Sequence, residues 1–60
     1  MKYNQKQELV DFIRIEIKNL ERAIKRANLN NQFAKADYYE GMRDAYLSGL
    51  DKLLSENQNL

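Results

Sequence analysis

Six apolar residues, Val10, Ile13, Ile17, Leu20, Ile24 and Ala27, recur at intervals of 3, 4, 3, 4 and 3 along the first half of the chain. An α-helix gathers residues at that spacing onto one line, and such a line is a seam that faces another helix. Leu9, Phe12 and Ala23 fall on one side of the seam and widen it. At roughly 100° per residue the stripe then covers about 160° of the helix, enough to touch two neighbours. Asn4 followed by Gln7 has the spacing of a capping box, which predicts a helix over about residues 4–28.

Asn28-Leu29-Asn30-Asn31-Gln32 gathers turn-forming residues at the middle of the chain. Asparagine tolerates the left-handed conformation that ends a helix, and it also caps the start of the next. The turn is therefore placed at about 28–31, with Leu29 expected to fold back over the end of the bundle. A second helix follows from about 31 to 56, capped by Asn30 or Asn31. Asp37-Tyr38-Tyr39-Glu40 offers a later capping box, but it would leave a loop longer than antiparallel helices ordinarily use. Tyr38, Tyr39, Met42, Ala45, Tyr46, Gly49, Leu50, Leu53 and Leu54 form the apolar stripe of this helix, close to 200° wide by the same reckoning.

These segments describe an all-α protein, a single antiparallel helical hairpin over residues 1–60. Each helix of a lone hairpin needs one narrow seam, and both stripes here are wider. Two hairpins packed as a four-helix bundle would cover the surplus, so a homodimer is expected. The predicted oligomer interface comprises Val10, Ile13, Ile17, Leu20, Ile24, Met42, Ala45, Tyr46, Gly49 and Leu53.

Composition points the same way. A chain of 60 residues usually needs a disulfide, a metal or a partner chain to stabilise its core. The absence of cysteine rules out disulfides and thiolate metal sites, and the absence of histidine removes the commonest general base and zinc ligand. Ser48 and Ser55 have no histidine to activate them, and no glycine-rich phosphate loop is present. The expectation is a protein that is not an enzyme, takes no cofactor and binds no metal. No apolar run approaches the length of a membrane span or a signal-peptide core, so a cytoplasmic location is expected, with no membrane partner.

Four features stand out as candidates for function. Gly41, Ala45 and Gly49 are spaced by four and line one ridge, which predicts close approach of another helix. Tyr38 and Tyr39 point about 100° apart, so at least one should lie at the rim of the apolar stripe. Tyrosine, rigid with a polar tip, is frequent in binding hot spots. Ile15 lies on the far side of helix one among Asp11, Lys18, Arg22 and Lys25, and with Tyr38 and Tyr39 it makes a candidate partner-binding set. The charges divide between the halves. Residues 1–28 hold seven basic and four acidic side chains, and residues 29–60 hold three and five. Arg14, Lys18, Arg22 and Lys25 form a basic stripe, and Asp37, Glu40, Asp44 and Asp51 an acidic one. Such stripes suit solvated faces of opposite sign. As a nucleic-acid surface the basic stripe is interrupted by Glu21 and has few flanking aromatics, and a net charge of +1 gives no global attraction, so nucleic acid is a disfavoured partner.

The segment from Tyr38 to Leu50 contains Tyr-x-Gly-x-x-x-Ala-Tyr-x-x-x-Leu, formed by Tyr39, Gly41, Ala45, Tyr46 and Leu50. It resembles a pattern in small helical-hairpin proteins of Gram-positive phages and mobile elements. That resemblance implies a modulator that binds and inhibits a larger host protein, such as a defence protein, in the host cytoplasm. The layout and the trio Phe12-Ile13-Arg14 also resemble the Rop family, RNA-binding dimers of helical hairpins. This second resemblance implies RNA recognition through the basic face of helix one.

Overall fold

The computed structural model describes residues 2–58, and the side chains of residues 5–55. Two helices, α1 (Lys2–Leu29) and α2 (Phe33–Gln58), fold back on each other as a hairpin. No strand occurs among the described residues. The expected seam of α1 is the core: Val10, Ile13, Ile17, Leu20, Ile24 and Ala27 are all buried. The heptad spacing keeps these six residues on one line, and nothing in the segment breaks the helix.

Both outer helix ends differ from expectation. α1 already runs through Asn4, so that residue is an interior position and no capping box forms there. Gln7 instead donates through Nε2 to Asp11 Oδ1 at 3.0 Å, one turn along the same helix. α2 continues to Gln58, two residues beyond the expected end, with no proline or glycine after Gly49 to stop it.

The turn is a Schellman motif. The Gln32 amide donates to the Ala27 carbonyl at 2.8 Å and the Asn31 amide to the Asn28 carbonyl at 3.1 Å. These are the 6→1 and 5→2 bonds of that motif, and they satisfy carbonyls that the end of α1 leaves open. Asn31 occupies the left-handed position at φ 61°, as its residue type suggests. Gln32 begins α2, its carbonyl accepting from the Ala36 amide at 3.0 Å. The early start of α2 is therefore correct, but Gln32 fills the capping position expected for Asn30 or Asn31, and Asp37 lies inside the helix. Leu29 does not fold over the bundle end; it is 75% exposed. It follows the last seam residue, Ala27, by two positions, which rotates it about 200° away from α2.

The close approach at the turn sets the register. Ile24, Ala27 and Ala36 form one cluster, with Tyr39 packed against it. Continuing the 3-4 spacing of both helices from that cluster sets Leu20 level with Arg43, Ile17 with Tyr46, Ile13 with Leu50 and Val10 with Leu53. The seam of α2 is thus Ala36, Tyr39, Arg43, Tyr46, Leu50 and Leu53, buried or half-buried at the same 3-4 spacing. It runs along one edge of the broad stripe read from the sequence, and it includes a charged residue. Tyr38, Met42, Ala45 and Gly49 are left exposed beside it.

The molecule is a rod of 45 × 18 × 11 Å with a radius of gyration of 14.1 Å. A compact domain of this length has a radius near 10 Å. Two helices side by side give a single layer, so every core residue is covered from one direction only.

Candidate interaction surface

The two faces of this flat hairpin have different chemistry. On each helix, the residue immediately before a seam position is turned about 100° to one side of it. Because α1 and α2 run in opposite directions, these preceding residues all lie on the same face of the hairpin. On α1 they include Leu9, Phe12 and Ala23, interrupted by Glu16 and Asn19. On α2 they include Tyr38, Met42, Ala45 and Gly49, flanked by Lys35 and Lys52. A half-open hollow near the turn fits this placement, since Ala23, Arg26 and Ala27 of α1 line it together with Lys35 and Tyr39 of α2. Its volume of about 180 Å³ is small beside typical ligand pockets.

The residues immediately after the seam positions form the opposite face. Here α1 presents Asp11, Arg14, Lys18, Glu21 and Lys25, and α2 presents Asp37, Glu40, Asp44 and Asp51, with Leu47 and Leu54 as the apolar members. Of the exposed large apolar side chains, Leu9, Phe12, Tyr38 and Met42 lie on the first face, Leu47 and Leu54 on the charged one, and Ile15, Leu29 and Phe33 are exposed elsewhere. Leu9 is 45% exposed and Phe12 51%. Neither is covered by α2, because the seam residues behind them already fill the contact.

The expected interface residues divide between two locations. Val10, Ile13, Ile17, Leu20 and Ile24 are taken up by the seam within the hairpin, so they contribute little surface to a second chain. Tyr46 and Leu53 are half-buried in the same seam. Met42, Ala45 and Gly49 lie on the apolar face and remain accessible. The glycines do not serve close packing inside the hairpin, since a Cβ built at Gly41 or at Gly49 would meet nothing within 4 Å.

The proposed partner-binding set is not one surface. Tyr39 packs into the core cluster while Tyr38 is 66% exposed, their rings 5.8 Å apart and tilted by 55°. Ile15 is 57% exposed but lies opposite the α1 seam, about ten residues of helical rise, or roughly 15 Å, from the level of Tyr38. The basic residues Arg14, Lys18, Arg22 and Lys25 are all exposed, in a band running from the charged face round the outer side of α1.

Arg43 is the residue that sequence reasoning passed over. It occupies a seam position level with Leu20, its side chain 30% exposed. Its Nε has no contact with solvent and no hydrogen-bond partner, while Nη2 reaches Asp44 Oδ1 at 3.4 Å. The 3-4 spacing of Tyr39, Arg43, Tyr46 and Leu50 was the signal that could have located it.

Among the described residues no group of three or more acidic side chains is placed to hold a metal ion, and no helix is long and apolar enough to cross a membrane. Comparison with protein-family models, with curated proteins and with solved structures gave no match.

Proposed function

We propose that this chain is a small, non-enzymatic interaction protein that self-associates and acts by binding and blocking a larger protein. One observation carries the reading: the hairpin buries a complete seam and still leaves Leu9, Phe12, Tyr38 and Met42 exposed on a single face. Exposed apolar side chains of this kind are what protein–protein contacts cover. The resemblance of the Tyr39–Leu50 pattern to phage and mobile-element hairpins makes a host protein the natural target, encountered in the host cytoplasm. Ile15 and the charged face are the surfaces that a self-associated form would still present to it.

Light scattering across a concentration range tests the reading. The expected mass is about twice the monomer's, falling toward the monomer on dilution; a chain that is monomeric at every concentration overturns it.

A second reading, RNA binding, rests on the exposure of Arg14, Lys18, Arg22 and Lys25 along the outer side of α1. Binding that neutralises several phosphates weakens steeply with salt. Titration with a structured RNA at two salt concentrations decides it: a steep loss of affinity supports the reading, and no binding at low salt removes it.

A further inference from the structure

We infer that the apolar face is covered by a second copy of this chain, with the two-fold axis running along the helices, so that α1 of each copy lies over α2 of the other. The inference rests on the self-association proposed above and adds its surface and its geometry. Three observations lead to it.

The first is area. The chain exposes 4895 Å². A folded monomer of its mass, 7.1 kDa, is expected to expose about 4,100 Å². The excess of roughly 800 Å² matches what one partner contributes to a standard stable interface. One further hairpin, laid against one face, supplies that cover.

The second is shape. In the antiparallel register Gly49 is level with residue 14 of α1, next to the level of Phe12. Stacking α1 over α2 of the second copy therefore sets each Phe12 against the gap at Gly49, where a Cβ would meet nothing. Ala45 of the second copy lies next along the same line. The bulky residues of one helix face the small residues of the other, and a two-fold axis repeats the match twice.

The third is charge. Lys52 is level with residue 11, about five residues of helical rise from Glu16 on the apolar face of α1, so the same stacking brings Lys52 of one copy toward Glu16 of the other. The alternative two-fold, across the helices, stacks α1 on α1 near its midpoint. That brings Glu16 against Glu16 in the middle of the apolar face, with two like charges removed from water.

Substitution and crosslinking test the arrangement in the intact chain, which has no native cysteine. Gly49→Leu should raise the dimer dissociation constant at least tenfold by light scattering while circular dichroism shows undiminished helix. Gly41→Leu makes the same chemical change on the side of α2 turned away from both α1 and the apolar face, and should leave the mass unchanged. Under oxidation, Phe12→Cys mixed with Gly49→Cys should give a disulfide-linked dimer, and Glu16→Cys alone should not. A wild-type monomer at all concentrations overturns the inference together with the proposed self-association. A wild-type dimer that survives Gly49→Leu, or that crosslinks through Glu16→Cys alone, overturns this arrangement and leaves self-association standing.

Discussion

Arg43 lies in the seam at a position where Leu20 offers only an apolar neighbour, and its Nε is cut off from water without a partner. A buried donor left unsatisfied costs about 1–3 kcal/mol. Arg43→Leu keeps the aliphatic bulk in the seam and removes that donor, so it should raise the melting temperature. The expected gain is about 1 kcal/mol, because much of the guanidinium still reaches solvent. A fall in melting temperature by thermal circular dichroism would show that Arg43 contributes more by covering the seam than its stranded Nε costs. Asn31 makes the converse case. It occupies the left-handed region at φ 61°, which asparagine and glycine tolerate and β-branched residues resist. Asn31→Gly should fold with unchanged or slightly higher stability, whereas Asn31→Val should lose about 1–2 kcal/mol in denaturant unfolding. That an asparagine of the turn could take the left-handed position was legible from residue type, but not that it would be Asn31, which the sequence offered as a cap of α2. Arg43 was not legible, since a charged side chain gives no apolar signal and only its neighbours mark the position as seam.

The two helices differ in how plainly their sequences describe their packing. In α1 the six seam residues are all aliphatic and their spacing has no competitor, so the buried set follows directly from the pattern. Ile17 sits at the middle of that seam, level with Tyr46. Ile17→Ala should destabilise the hairpin by about 2–4 kcal/mol, as large-to-small core substitutions do. In a domain this small that loss should appear as a broadened or absent cooperative thermal transition. In α2 the apolar residues occupy both the seam and the positions just ahead of it. A wheel merges the two sets into one broad stripe, and it cannot say which edge meets α1. The register decided that: the close approach of Ala27 and Ala36 at the turn makes Tyr39, Tyr46, Leu50 and Leu53 seam residues and leaves Tyr38, Met42, Ala45 and Gly49 outside. For the same reason Ala45 and Gly49 lie on the apolar face and Gly41 opposite the seam, and neither glycine admits the close helix approach expected of the ridge within the hairpin.

At the scale of the whole molecule, a rod one layer deep leaves one face richer in apolar side chains and one richer in charge. If the apolar face is where copies meet, folding and association are linked, and the melting temperature must rise with protein concentration. Scans over a hundredfold range of concentration should show that rise in the wild type, and Gly49→Leu should largely abolish it. A concentration-independent transition in the wild type would mean that the hairpin's stability comes from its own seam. The residues alone determined the helical class, the hairpin, the aliphatic seam of α1, the asparagine-rich turn and the presence of surplus apolar surface. These depend on backbone preference and on periodicity within one helix, which are local. Only the tertiary structure decided which side of α2 meets α1, that Arg43 lies in the seam, that Leu29 points outward and that Leu9, Phe12, Tyr38 and Met42 share one face. Those outcomes depend on the register and relative direction of two helices, and no periodicity within a single helix encodes either.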